Sequence, residues 1–300
     1  MKTYNAALQA QLDAYLSEQS GLPQSKAAAM IGVSPTALSQ YRNSKYPGDV
    51  EAVESKIEEF LRTRSAAAQA EAEKAPYLSA GYVPTSVSED VYKAIQYCQL
   101  ERGIVVLHGD AGIGKTRGAA RFVQDNPANA IYIRCTPVGG TLTAMLRQLG
   151  TALKLPATRN RLELSMAIHD RLKGTDKVII IDEAQNLRFD ALEELRSLSD
   201  PDDLTGESGT GICLIGNRML GKQEAQFAQQ FSRVRFRRRY STADVKLADV
   251  EKLFPTLADG SHGKELAFMT GVCRSKWGIR GAMSVYTNAV RNENTSLDGL

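Results

Sequence analysis

Residues 109–116 read Gly109-Asp-Ala-Gly-Ile-Gly-Lys115-Thr116, and this motif predicts the fold of most of the chain. Its spacing fits the pattern G-x-x-x-x-G-K-[ST] at every fixed position. The apolar run Ile104–His108 precedes it, and residues that can form a helix follow. In such a unit the glycines let backbone N–H groups surround phosphate oxygens, and the helix N-terminus adds positive dipole charge. The alternative is a chance glycine-rich turn, which the flanking elements disfavour.

This loop supplies the candidate nucleotide-binding residues. Lys115 is expected to reach the β and γ phosphates of ATP, and the Thr116 hydroxyl to ligate Mg²⁺. The full candidate set is Gly109, Asp110, Ala111, Gly112, Ile113, Gly114, Lys115 and Thr116.

A second motif, Val178-Ile-Ile-Ile-Asp182-Glu183, ends an apolar run with two carboxylates. At the tip of a buried strand, Asp182 is expected to hold Mg²⁺ through water. Glu183 can then polarise the water that attacks the γ phosphate. A strand that simply ends in an acidic turn is the alternative, and it is disfavoured because a phosphate loop precedes the motif in the chain.

Three further polar residues are candidates for the same site. Asn217 follows the predicted strand Gly211–Ile215 and could orient the attacking water, although a helix cap or turn explains an Asn here nearly as well. Arg233 is the first of five arginines in positions 233–239 and is a candidate arginine finger that acts on the nucleotide of a neighbouring subunit. We interpret the other four as the solvated basic edge of a strand. Arg280 is a candidate γ-phosphate contact from a lid.

The wider pattern predicts an α/β fold with a parallel five-stranded sheet, because short apolar runs alternate with helical stretches. We expect an all-α segment at 1–62, a linker at 63–84, a nucleotide-binding core at 85–241 and a helical lid at 242–300. The predicted strands are Ile104–His108, Ala130–Arg134, Val178–Ile181, Gly211–Ile215 and Val234–Arg237.

The stretch from Gln24 to Arg42 reads as helix, tight turn, helix. Gly32 supplies the turn, Ser34 caps the second helix and Pro35 occupies its first position. The apolar residues expected to pack the two helices together are Ala28, Ile31, Val33 and Leu38.

The pattern resembles a helix-turn-helix of the phage-repressor type. The polar residues near the outer side of its second helix are candidate DNA contacts in the major groove, namely Thr36, Ser39, Gln40 and Arg42. A small helical docking module is the alternative. Residues 1–62 hold six basic and seven acidic residues, so this segment alone is not expected to bind DNA strongly.

Positive charge is concentrated elsewhere. The whole chain carries a net charge of +3, but eight basic and three acidic residues lie between Arg134 and Lys177. Such a concentration suits sequence-independent binding to DNA phosphates. The candidate contacts are Arg147, Lys154, Arg159 and Arg161. Solvated helix faces are an equally good interpretation of these charges.

The order of these motifs, over about residues 78 to 292, resembles the AAA+ ATPases. By that resemblance Asn217 would be the first sensor, Arg233 the finger and Arg280 the second sensor. A helix-turn-helix followed by a single AAA+ module is, further, similar to the family of phage Mu transposition protein B, with matching stretches that begin at Asn43, Ile180 and Phe231. This resemblance implies a protein that oligomerises on double-stranded target DNA with ATP, as a ring or helical filament, and delivers the DNA to a transposase.

Two other functions stay open at this point. One is a helicase loader or replication initiator ATPase, and the other is a transcription regulator switched by nucleotide. Glu183 disfavours a pure switch, because it supplies a base for hydrolysis. No run of about 18 apolar residues and no signal-peptide pattern is found. We therefore expect a cytoplasmic protein without a membrane partner, and the resemblance to the phage family implies that the cell is a bacterial host.

Overall fold

A computed structural model describes residues 4–18, 23–74, 81–156, 160–201, 206–226 and 234–300. The side chains of 66–74 and 224–226 lie outside this description. The chain divides into two compact units, Met1–Pro76 and Tyr77–Leu300. No helix within these ranges combines the length and the hydropathy that a bilayer crossing needs.

The first unit is helical. Its described helices are α1 (Ala6–Glu18), α2 (Gln24–Ile31), α3 (Pro35–Arg42) and α4 (Val50–Lys74). Helix α4 continues through residues 63–74 of the predicted linker, and residues 75–80 lie outside the described ranges. The exact domain boundaries therefore stay a prediction.

The predicted helix-turn-helix is confirmed in its local geometry. Gly32 ends α2 in the left-handed region, with a φ of 78° that favours glycine. The hydroxyl of Ser34 accepts a hydrogen bond from the Ala37 N–H at 3.1 Å, and Pro35 opens α3. The predicted packing residues Ala28, Ile31 and Leu38 are buried, and Val33 packs against them in a half-buried position.

The second unit is built on five parallel strands: β1 (Ile104–Gly109), β2 (Ala130–Arg134), β3 (Val178–Asp182), β4 (Gly211–Ile215) and β5 (Val234–Tyr240). Their order in the sheet is β2-β3-β4-β1-β5. The predicted five-stranded parallel sheet is thus confirmed. Strand β4 lies between β1 and β3, so the three segments that follow these strands meet at one edge of the sheet.

Helices cover both faces of this sheet. Helix α5 (Ser86–Glu101) precedes β1, and the helices between strands are α6 (Lys115–Asp125), α7 (Leu142–Ala152), α8 (Arg161–Leu172), α9 (Phe189–Ser199) and α10 (Arg218–Gln226). Alternate residues of β3 enter two buried clusters: Val178 and Ile180 pack with α5 and α6, while Ile179 and Ile181 pack with α7, α8 and α9. Burial on both faces explains why the strand is a continuous apolar run.

Strand β5 is an edge strand and is longer than predicted, because its pairing with β1 continues to Tyr240. The predicted alternation is present, since Val234 is buried and Phe236 half-buried, while Arg235 and Arg237 are exposed. Weak ion pairs at 3.5 Å join Arg235 to Glu101 and Arg238 to Asp90, both on α5.

Three α-helices follow Ser241 in the described chain, as predicted: α11 (Leu247–Leu253), α12 (Gly263–Arg274) and α13 (Gly278–Arg291). Tyr286 of α13 packs against Phe254, with ring centroids 4.9 Å apart. Both rings belong to the buried cluster that also contains residues of α5 and α6. The lid is therefore continuous with the core on one face of the sheet.

The close packing of α5 and α6 yields a stability test. A Cβ at Gly118 of α6 would lie 2.3 Å from the Ser88 carbonyl oxygen on α5, whereas one at Gly271 of α12 meets nothing within 4 Å. We expect Gly118→Ala to lower the free energy of unfolding by about 1–3 kcal/mol. Gly271→Ala should raise it by about 0.5–1 kcal/mol, because alanine favours the helix. Urea unfolding followed by the fluorescence of Trp277, the single tryptophan, measures both, and equal effects would contradict the packing argument.

Candidate active site

The phosphate loop is held in a conformation that requires glycine. Gly109, at the end of β1, has a φ of 139°, and a Cβ there would lie 1.8 Å from the Tyr240 carbonyl oxygen. Gly114 has a φ of 106° and precedes α6, so the first N–H groups of that helix face the loop. Backbone N–H groups gathered at a helix N-terminus form an anion site, and the loop therefore fits a phosphate chain.

Lys115 is the only buried lysine in the described part of the chain, with 8% of its surface exposed. Its Nζ donates hydrogen bonds to the carbonyl oxygens of Asp110 at 2.6 Å and Gly109 at 3.3 Å. Burial lowers the pKa of Lys115 to about 8, although Asp182, Asp110 and Glu183 oppose this shift. The ammonium group lies within the loop, where an incoming phosphate can replace the two carbonyls.

Asp182, at the end of β3, is hydrogen-bonded on both carboxylate oxygens. Its Oδ2 accepts from the Thr116 hydroxyl at 2.9 Å and from the Tyr132 hydroxyl at 2.8 Å, and its Oδ1 accepts from the Glu183 N–H at 2.9 Å. The Thr116 hydroxyl and an Asp182 carboxylate oxygen therefore lie next to each other beside the phosphate loop.

These oxygens fit Mg²⁺, which prefers oxygen ligands and keeps water or substrate phosphate in its remaining positions. The described residues contain no group of three or more His, Cys, Asp or Glu side chains that could enclose a metal by themselves. A bound Mg²⁺ at Thr116 and Asp182 would therefore complete its coordination with phosphate oxygens and water.

Glu183 begins the turn that follows β3, with a φ of 57° and a ψ of 37° in the left-handed region. Its Oε2 accepts a hydrogen bond from Gln185 Nε2 at 2.6 Å. Asn217 follows β4 and lines the same cavity as Glu183. The Asn217 side-chain oxygen accepts from the Met219 N–H at 2.7 Å, so this residue also caps the start of α10. Asn217 is therefore a helix cap, which was the alternative interpretation. Its role in orienting the attacking water stays a prediction.

The lid closes the other side of the cavity. The backbone N–H of Arg280 donates to the Gly112 carbonyl oxygen at 3.1 Å. The exposed side chain of Arg280 lines a cavity of 530 Å³, together with Lys115, Thr116 and Asp182. The candidate residues of the loop, of β3, of the end of β4 and of α13 are therefore brought together.

Two candidate arginines, Arg233 and Arg159, lie outside the described residues, so their roles stay predictions. In the first unit, Thr36 is exposed and Ser39 and Gln40 are half-exposed along a shallow groove on α3. Arg42 is also exposed, but its Nε is 2.6 Å from Asp13 Oδ1. Its charge is already paired within the unit.

The basic residues of the segment 134–177 are placed differently. Arg147 of α7 and Arg134 at the end of β2 line a groove of 410 Å³ on the edge of the sheet, with Tyr132 between them and the active site. Arg147, Lys154 and Arg161 are exposed and form no ion pair with any residue in the described ranges. Their charges are therefore available to a ligand.

Comparison with known proteins agrees with this geometry. The chain is 31% identical over 267 residues to the ATP-dependent target DNA activator B of Escherichia phage Mu, an alignment that covers 87% of this chain and 79% of the phage protein. The chain belongs to the activator B family. It is also 29% identical to the Mu-like prophage FluMu DNA transposition protein B of Haemophilus influenzae, over 91% of this chain and 92% of that protein.

The AAA domain family matches residues 99–224, which run from α5 to α10 and include the phosphate loop and Asp182. Among solved structures, the chain is similar to Cdc6p from Pyrobaculum aerophilum, with a TM-score of 0.53 at 17% identity over 73% of this chain and 66% of that one. The Aeropyrum pernix ORC1 protein, solved in complex with DNA, gives a TM-score of 0.52 at 15% identity, over 72% and 63%. These likenesses confirm the AAA+ fold.

Sequence reasoning missed three residues of this activator B site. Tyr132 lies in edge strand β2 and donates to Asp182 across the sheet, and Gln185 donates to Glu183. The Arg218 guanidinium hydrogen-bonds Asp110 and thereby lowers the pKa of that carboxyl. Gln185 stands two residues after Glu183 and Arg218 directly follows Asn217, so both adjoin candidate residues in the sequence. The contacts of Tyr132 and Arg218 depend on strand order and could not be found from spacing.

The buried lysine makes nucleotide affinity depend on pH. Because the pKa of Lys115 is lowered to about 8, the nucleotide-free protein loses this positive charge as the pH rises through that value. We expect the dissociation constant for ATP to increase by up to about tenfold per pH unit above 8, since the phosphates require the charged form. Calorimetric titrations between pH 7 and 9.5 measure this. The Lys115→Ala variant should bind weakly without that dependence, and a flat wild-type profile would contradict the prediction.

Proposed function

We propose that this chain binds and hydrolyses ATP at the cavity between the phosphate loop and the lid, and uses the nucleotide to assemble on DNA during transposition. The observation that supports hydrolysis is the convergence of Lys115, Thr116, Asp182 and Glu183 on one cavity. A site that only bound nucleotide would not need a carboxylate beside the metal-holding oxygens.

In the proposed reaction, a water oxygen bonds to the γ phosphorus while the bond to the β–γ bridging oxygen breaks. Glu183 takes the proton of that water through its Oε1, while Asn217 orients the same water. Lys115 contacts the β and γ phosphates, and Arg280 contacts the γ phosphate from the lid. Mg²⁺, held by Thr116 and Asp182, supplies positive charge to the phosphate oxygens when bound.

The proposed assembly on DNA is supported by the family to which the chain belongs and by the distribution of its positive charge. Relatives are an ATP-dependent target DNA activator and a DNA transposition protein, and we extend to this chain the delivery of double-stranded DNA to a transposase. Subunits would form a ring or helical filament in which Arg233 of one acts on the nucleotide of the next. Nucleotide between subunits would let many weak phosphate contacts act together.

The DNA would lie against the basic groove at the edge of the sheet. Arg134 and Arg147 line that groove, and Lys154 and Arg161 are exposed and unpaired among the described residues. In this proposal the helix-turn-helix modulates affinity through Thr36, Ser39 and Gln40, because the charge of Arg42 is already paired. Sequence-independent affinity is then supplied by the second unit.

Replacement of Glu183 tests the hydrolysis proposal. Glu183→Gln keeps the shape of the side chain and removes the base, so turnover should fall by about 10²–10⁴-fold while ATP binding stays within about threefold of wild type. Steady-state phosphate release and sedimentation with ATP measure the two properties, and assemblies on DNA should persist longer. Lys115→Ala is the control that should lose both binding and assembly. Wild-type turnover in Glu183→Gln would overturn the assignment.

The basic groove is tested by the salt dependence of DNA binding. Arg147→Ala and Lys154→Ala should each weaken binding equally on unrelated sequences and lower the slope of log K against log salt by about 0.9 for each phosphate that the variant no longer neutralises. Arg121→Ala is the matched control, because Arg121 is already paired with Asp125 at 2.9 Å. Fluorescence anisotropy with ATP present measures the slopes. Wild-type slopes in both Arg147→Ala and Lys154→Ala would place the DNA elsewhere.

A further inference from the structure

Gln185 joins two parts of the active site that the sequence motifs treat separately. Its Nε2 donates to Glu183 Oε2 at 2.6 Å, and its Oε1 accepts from the Asn217 backbone N–H at 3.2 Å. Both ends of one carboxamide are therefore occupied, one by the proposed base and one by the backbone that follows β4.

This arrangement defines the orientation of the amide. In the opposite orientation the Gln185 oxygen would face the Glu183 carboxylate and its NH₂ group would face the Asn217 N–H, and both contacts would be repulsive. The side chain also has little room to move, because a Cβ at Gly216 would lie 2.7 Å from Gln185 Oε1. The main-chain carbonyl oxygen of Gln185 accepts a hydrogen bond from Gln223 Nε2 of α10 at 2.8 Å.

We propose that Gln185 is a positioning residue for hydrolysis, which holds the Glu183 carboxylate in the orientation that accepts a proton from water. This inference rests on the proposed function, in which Glu183 is the base. Gln185 occupies Oε2, whereas Oε1 of Glu183 accepts no hydrogen bond from any described residue. One oxygen is anchored, and Glu183 lines the cavity that holds the phosphate loop.

The Gln185 side chain also fixes the position of Glu183, the proposed base, relative to Asn217. Glu183 lies in the left-handed region, a backbone conformation that is strained for a residue other than glycine. The turn that follows is held by the hydrogen bond from Asn186 Nδ2 to the Cys135 carbonyl oxygen at 2.8 Å. Because the Gln185 side chain extends from this turn to the end of β4, the base and the predicted water-orienting residue share one support.

The role is tested by separating catalysis from binding. Gln185→Met has a similar length and lacks both polar atoms, so it frees the Glu183 carboxylate. We expect kcat for ATP hydrolysis to fall by about 10- to 100-fold, with the dissociation constant for ATP and the melting temperature near wild type. Gln223→Met is the matched control. It removes a hydrogen bond to the same turn, leaves the Gln185 side chain in place, and should keep kcat within about threefold of wild type.

A second variant tests the hydrogen bond through its pH dependence. Gln185→Glu keeps the acceptor for the Asn217 N–H but places a carboxylate against Glu183. Above neutral pH the two charges repel, and kcat should be as low as in Gln185→Met. As the pH falls toward 6, the pair takes up one proton that restores a donor to Glu183 Oε2, so turnover relative to wild type should recover several-fold. A residue with a merely structural role would not produce this recovery.

The outcomes separate this inference from the proposed function. If Glu183→Gln abolishes turnover while Gln185→Met keeps wild-type kcat, the base is correct and the positioning role is wrong. The positioning role is also overturned if Gln185→Met loses ATP binding and thermal stability together with kcat, or if its kcat rises. Wild-type turnover in Glu183→Gln would instead overturn the proposed function itself.

Discussion

The active site depends on one hydrogen bond between segments that are 66 residues apart, from the Thr116 hydroxyl to Asp182 Oδ2. Thr116 lies at the start of α6 after β1, and Asp182 ends β3, but β1 and β3 are not neighbours in the sheet. The contact can form only because β4 is inserted between them in a parallel register that ends all three strands at one edge. Burial of β3 and β4 on both faces stabilises that register, since a slip of one residue would exchange their two faces.

At this edge of the sheet, hydrogen bonds within the fold offset the cost of removing charged groups from water. The ammonium of Lys115 has lost most of its water, and two loop carbonyls compensate for that loss in the nucleotide-free protein. Asp110 is not a free anion that would repel phosphate, because its carboxylate accepts from Arg218 and from the Thr242 N–H at 3.1 Å. These contacts tie the phosphate loop to α10 and to the first residue of the lid. The position of the loop is therefore fixed by hydrogen bonds within the second unit.

The same reasoning distinguishes the charged residues outside the site. Arg235 and Arg238 of β5 adjoin carboxylates of α5, and Arg42 adjoins Asp13, so part of their charge is neutralised within the fold. Arg147 and Lys154 have no such partner among the described residues. Tyr132 lines the groove beside Arg147 and also donates to Asp182. A single side chain thus adjoins both the basic groove and the Asp182 carboxylate.

Short windows of sequence were enough to predict the five strands, the phosphate loop, the Asp182-Glu183 pair and the helix-turn-helix. Each of these is encoded by apolar runs, by glycine at positive φ or by a capping side chain such as Ser34, and needs no knowledge of distant residues. The folded arrangement alone shows that Tyr132 contacts Asp182 and that Gln185 connects Glu183 to Asn217. It also shows that Arg42 is paired, whereas Arg147 has no ion-pair partner among the described residues. The physical reason is that helical crossovers leave the lateral order of parallel strands open to several arrangements. The neighbours of a side chain at the end of a strand follow from that order and not from the local sequence.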